Sequence, residues 1–334
     1  MVIGRAKSIS FARRLHPASG SGDNACHGVV RNALLVGSQN AWLREHIATM
    51  PFVRRAVNRF MPGERLEDAL AAAAELQRVG VGAVLTRLGE NVTDAGAANE
   101  TATHYIRVAS ELQRLGLDGD ISIKLTQLGL DIDPQHCQAS LLMLADETSR
   151  RAIRLWIDME QSFYVERTLD MRRALRAYPH AGVCLQAYLR RTADDLASIV
   201  PLGGGIRLVK GAYREAGSVA YPRKHDVDEN YFTLATQMLA AARRSGLRSV
   251  FGTHDQHLIA RLQRYADNAG VPRDAFEFHM LYGIHRSEQI RLARDGYRVK
   301  VLISYGEQWF PWYMRRLAER PANLMFLARS MLSS

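Results

Sequence analysis

The sequence predicts an α/β chain closed into a (βα)8 TIM-type barrel, and three observations predict it. Eight short aliphatic runs recur at intervals of roughly 25–40 residues, the rhythm of strands that pair in parallel. Stretches with helical periodicity lie between them. Polar and charged residues crowd the C-terminal ends of the runs, the face on which such a barrel carries its site. Eight units favour closure; an open doubly wound sheet is the alternative.

In chain order, the first residues, MVIGRAKSISFARRLHPASGSG, are basic and acid-poor and contain no continuous apolar segment. They do not read as a secretory signal. Residues 1–45 are expected to form a poorly structured basic arm, with a transit peptide as the other reading. Residues 46–334 are expected to form one barrel domain, including N-terminal helices. HIATMPFVRRAVNRFMPGE has apolar residues at helical spacing, broken at Pro51 and at Pro62-Gly63. LEDALAAAAELQRVGVG is a strong helix former that stops at glycine. The strand runs then follow: 83–86, 121–125, 153–158, 182–186, 205–210, 249–253, 276–281 and 298–303. ATHYIRVASELQRLG and EQIRLARDG are typical of the helical stretches between them. The chain closes with WFPWYMRRLAERPANL, a helix suited to lie across the rim as a lid.

Composition bounds the function. With 47% hydrophobic residues in 334, a large core is affordable. No run of about 18 uncharged apolar residues marks a membrane span. The three cysteines, Cys26, Cys137 and Cys184, lack metal or redox spacing and fit a reducing cytoplasm. The net charge of +10 favours anionic partners. Of 44 Lys and Arg residues only five are lysine: Lys7, Lys124, Lys210, Lys224 and Lys300. Aromatic residues are not interleaved with basic patches, which speaks against nucleic acid. His254, His257, His279 and His285 form no metal-binding motif, so no metal is expected. Gly203-Gly204-Gly205 precedes a strand instead of opening a helix, so it is not a Rossmann fingerprint.

The strand ends carry the chemistry. In GGGIRLVKGAYRE, Arg207 and Val209 share one face of the fifth strand, and Leu208 and Lys210 the other. Two cations beside the bare backbone of Gly211-Ala212 suit a large anionic cofactor such as a dinucleotide. Pairing with acidic rim residues is the alternative. Lys124, at the end of the second strand in SIKLTQLG, is a Schiff-base nucleophile, a fixed cation for a carboxylate, or one half of a salt bridge. Asp158-Met159-Glu160 brings carboxylates to the third strand end, and Glu90 lies beyond the first. The Arg315-Arg316 pair could grip a carboxylate if its helix is a lid. From the residues alone, a Schiff-base lyase or aldolase using Lys124 or Lys210 stays open, as does a barrel that binds a flavin or an anion without turnover.

SIKLTQLG, WIDMEQS, LQAYLRRT, RLVKGAYRE, FGTHD, FEFHMLYG and MRRLAERPANL, in this order over roughly residues 50–330, together resemble the bacterial single-function proline dehydrogenases. The resemblance implies a (βα)8 barrel that binds FAD. It implies oxidation of proline or a proline-like secondary amine to an imine, with hydride passing to flavin N5 and electrons then to a quinone. A cytoplasmic enzyme is implied, peripheral to the inner membrane if the basic arm meets an anionic bilayer. By resemblance, Lys124, Arg315 and Arg316 hold the substrate carboxylate, and Leu208 and Tyr213 pack on the ring. Asp158 and Arg207 are active-site residues. Met159, Gln186, Arg207, Val209, Lys210, Gly211, Ala212, Thr253 and His254 line the flavin, and Glu90 pairs with Arg315. Two substrate-facing positions depart from the family pattern: Leu302 stands where a Tyr is usual, and Thr86 where an Asp is usual. That leaves the substrate open among proline, substituted prolines, other cyclic or acyclic amino acids and hydrazine-type analogues.

Overall fold

The structure, a computed structural model, describes residues 57–310 apart from Gly246, together with Tyr313. The basic arm, the Arg315-Arg316 pair and most of the expected lid helix lie outside these residues.

Helix α1 (Leu66–Gln77) leads into β1 (Gly82–Arg87). Seven strands follow, separated by helices. They are α2 (Ala95–Arg114), β2 (Gly119–Ile123), α3 (Pro134–Ser149), β3 (Leu155–Ile157), α4 (Val165–Ala174), β4 (Ala181–Gln186), α5 (Thr192–Ile199), β5 (Gly205–Val209), α6 (Lys224–Ser245), β6 (Arg248–Gly252), α7 (Gln256–Asn268), β7 (Phe276–Leu281), α8 (Arg286–Arg294) and β8 (Arg298–Tyr305). All neighbouring strands are parallel, and β8 returns to β1 from Gly82↔Lys300 to Arg87↔Tyr305, closing the barrel. The open-sheet alternative is thereby excluded.

Helix starts follow local chemistry. Asp94, Asp133 and Asp255 cap α2, α3 and α7 by accepting backbone N–H groups of the first turn. The second predicted strand ends earlier than expected: Lys124 leaves it and opens the 3-10 turn Leu125–Leu128, which stops at the left-handed Gly129.

Two kinds of core result. Between strands and helices lies a continuous apolar layer that includes Leu85, Ile123, Ile157, Leu185 and Leu208. Inside the barrel the apolar part is small: Val84, Trp156 and Val250, with Leu302 packed on them. The Trp156 indole fits there because Gly182 and Gly205 flank it. A Cβ at either would come within 2.5 and 2.7 Å of the ring. Gly205, the last of the glycine run and the first residue of β5, thus serves packing.

Below Trp156 the interior is ionic. The Trp156 N–H donates to Asp120 Oδ2 at 3.0 Å, and Lys300 Nζ reaches Asp120 Oδ1 and Asp118 Oδ1, both at 2.8 Å. Arg248 donates to Glu277 Oε2, while His279 Nε2 lies 3.1 Å from Glu277 Oε1. Burial opposes the Lys300 charge, but the two aspartates outweigh it and raise its pKa. Asp120, Glu277 and His279 bring three metal-type ligand atoms within 4.8 Å. Each carboxylate oxygen there already meets a cation, the imidazole or the indole N–H, so the cluster reads as an ionic knot.

Candidate functional site

Above Trp156, the C-terminal ends of β2, β3 and β5 converge. Side chains alternate along a strand, so Ser122, Trp156 and Arg207 share the inward face with the residues that follow them by two, Lys124, Asp158 and Val209. Arg207 is 4% exposed. Its Nη2 donates to Asp158 Oδ1 and, at 2.7 Å, meets Ser122 Oγ. The Ser122 hydroxyl in turn donates to Asp158 Oδ1 at 2.8 Å. The guanidinium carbon lies 5.1 Å from the centre of the Trp156 ring. Burial works against the Arg207 charge and Asp158 offsets it, leaving the pKa raised.

Lys124 completes the cluster. Its side chain is 13% exposed and its Nζ stands 4.0 Å from Asp158 Oδ2, the outer limit of an ion pair. An incoming carboxylate can compete for a cation held this loosely. Beside it, Glu160 is buried and accepts the Thr126 N–H and hydroxyl at 3.2 and 2.7 Å. Burial raises its pKa.

The strand ends on either side offer polar atoms in need of a partner. Gln186 is 3% exposed; its amide donates to Met159 O at 3.4 Å, while its Oε1 is buried without a hydrogen bond. Thr86 Oγ1 is likewise buried and unbonded. A ligand that offers donors across the barrel mouth would satisfy groups that are otherwise costly to bury. On this test the residues fit a large polar cofactor. Thr253 and His254 are locally engaged. Thr253 Oγ1 accepts from the Asp255 N–H at 3.1 Å, and His254 Nε2 accepts the Leu281 N–H, also at 3.1 Å, which places the ring proton on Nδ1.

Several expectations need correction. Leu208 does not face the mouth. It is fully buried under the helices, and its carbonyl accepts the Tyr231 hydroxyl of α6 at 3.2 Å. Inward Arg207 and Val209 leave it the outer face. Lys210 lies past the strand between Asp228 Oδ1 and Asp255 Oδ2, at 2.5 and 2.8 Å, so the acidic-pairing alternative describes it. On the side where a Cβ would point, Gly211 makes room for the Tyr188 ring, 2.1 Å from where that carbon would sit. Leu302 faces inward on the Trp156 layer, and Thr86 is inward at the end of β1. Glu90 and Tyr213 are half-buried on the rim, and Ala212 is exposed. Ser122 and Trp156 were not anticipated. The signal was available, since each lies two residues before a named site residue, Lys124 and Asp158.

Known proteins resemble this chain. A family model described as proline dehydrogenase matches residues 69–329. Proline dehydrogenase from Deinococcus radiodurans is 37% identical over 285 residues, which cover 82% of this chain and 89% of the relative. Proline dehydrogenase 2 from Bacillus subtilis (strain 168) is 35% identical over 279 residues, 83% of this chain and 91% of the relative. The crystal structure of proline utilization A from Bdellovibrio bacteriovorus, inactivated by N-propargylglycine, superposes with a TM-score of 0.76 at 21% identity. It matches 89% of this chain, which spans 37% of that longer one, and shares the fold.

Proposed function

The chain belongs to the proline dehydrogenase family, and from that premise we propose that it oxidises proline or a proline-like secondary amine to an imine, with FAD as its cofactor and a quinone as the final acceptor. It is an oxidoreductase of CH–NH donors. The observation that carries the reading is the convergence of Lys124, Asp158 and Arg207 around Ser122 at the barrel mouth.

When bound, the flavin would supply the two-electron acceptor for the hydride. The protein supplies placement. Lys124 attracts the substrate carboxylate, joined by Arg315 and Arg316, whose roles rest on the resemblance. Asp158 and Ser122 hold the Arg207 guanidinium in one orientation, so a fixed positive charge is present without reorganisation. Gln186, at the end of β4, and Met159, just past β3, would meet the cofactor, and Thr86 on β1 would face the substrate. Fixing the amine by its carboxylate lowers the entropic part of the barrier by several kcal/mol, on the order of what oriented intramolecular reactions gain. The amine must be neutral for its lone pair to assist departure of hydride from the neighbouring carbon. The structure contains no helix long and apolar enough to cross a membrane among the described residues.

The Schiff-base alternative is weakened on the Lys210 side, because that ammonium is already engaged by two carboxylates. Anaerobic mixing of the purified protein with proline, hydroxyprolines, pipecolate and noncyclic amino acids tests the proposal. Bleaching of flavin absorbance by a secondary amine is expected. A colourless protein trapped by borohydride with a carbonyl compound would overturn it.

A further inference from the structure

The segment after β5, residues 210–223, leaves the C-terminal end of that strand and contains no helix or strand beyond a single bridge. Both of its ends are fastened to the loop after β4. The Tyr188 N–H donates to Lys210 O at 2.8 Å, Arg190 N–H to Val219 O at 3.0 Å, and Tyr221 N–H to Tyr188 O at 2.8 Å. The middle reaches further. Glu215 crosses to the loop after β3 and accepts both donors of Ser162, the backbone N–H at 2.7 Å and the hydroxyl at 2.6 Å. The two residues are 53 apart in sequence. Glu215 closes the GGGIRLVKGAYRE stretch, and no role discussed above uses it.

We propose that Glu215 and Ser162 form a latch that positions the Tyr213 segment against the Asp158 side of the barrel mouth. Fixing an irregular segment costs backbone entropy at every residue. The fastenings to the β4 loop secure its ends only. One carboxylate that accepts two donors from a single residue secures the centre and sets its direction. Ser162 follows Asp158 by four residues, and Glu215 follows Tyr213 by two and Arg207 by eight. The latch therefore ties the two strand ends that carry the Asp158–Arg207 pair through their outer loops. Both are positioning residues: each acts through the segment that carries Tyr213, whose place against the substrate ring rests on the resemblance. The kinetic consequence rests on the amine-oxidation reading; the ordering of the segment does not.

Hydrogen exchange of the flavin-loaded full chain tests the ordering, read by mass spectrometry on peptides covering 210–221. Ser162→Ala and Glu215→Ala are expected to speed exchange there by about tenfold, the scale of losing one to two hydrogen bonds. Peptides from β1 and β8 should not change, and Ser162→Thr should restore protection. In the same variants KM for the best amine is expected to rise about tenfold, with kcat within about twofold and flavin content unchanged. Unchanged exchange in both alanine variants overturns the latch. Faster exchange with an unchanged KM overturns its positioning role. If no amine reduces the wild-type flavin, the functional reading has failed, and exchange alone decides on the latch.

Discussion

Arg207 rests on Trp156, its guanidinium carbon 5.1 Å from the ring centre, and Trp156 is pinned by an N–H bond to Asp120 at 3.0 Å. The cation at the mouth is thus supported from beneath by an aromatic ring, and the ring by the ionic knot at the barrel floor. Chemistry at the top depends on packing two layers down.

Trp156→Phe keeps a ring under Arg207 but removes the donor to Asp120. A loss of about 1–3 kcal/mol is expected from the unsatisfied buried carboxylate oxygen. Urea midpoints for the variant and the parent, at unchanged slope, measure it.

Asp158→Asn leaves the Arg207 charge buried with a neutral neighbour. Breaking such a pair costs about 3–5 kcal/mol, so the melting temperature should drop and turnover with it. Adding Arg207→Met should recover part of the stability and none of the turnover. Thermal melts beside steady-state assays separate the two effects.

His104 Nε2 lies 2.8 Å from the Tyr305 hydroxyl. Burial, with the nearby Arg87 charge, pushes its pKa down from 6.5 to about 4. The folded protein keeps this imidazole neutral where the unfolded chain would protonate it. Its contribution is therefore complete above about pH 6.5 and is lost progressively as the pH falls toward 4. His104→Gln should flatten the pH dependence across that window, as read from urea midpoints at pH 7 and pH 5.

Leu302 lies half-buried on the inner Val84, Trp156 and Val250 cluster, at a position that the resemblance places near the substrate. If it widens the pocket, Leu302→Tyr should lower kcat/KM for ring-substituted prolines relative to proline by about tenfold, within the range that pocket-size changes produce. A panel of proline and its substituted analogues checks this; equal losses on all of them would detach Leu302 from selectivity.

The sequence by itself determined the alternation of eight strands and helices, the strand ends as the place of the site, and the family pattern that runs through them. Alternation also established that Arg207 and Leu208 face opposite ways. It could not say which of them faces inward, because both faces of a barrel strand are buried and the apolar pattern does not mark the interior. Only closure, with Gly182 and Gly205 leaving room for Trp156, put Arg207 inside and Leu208 beneath α6. For the same reason Ser122 became a site residue only when β2, β3 and β5 met around it, and Glu215 found Ser162 only across two loops. Periodicity is a property of one strand and can be read locally. Contacts between residues far apart in the chain are decided by register and closure, which exist only in the assembled barrel.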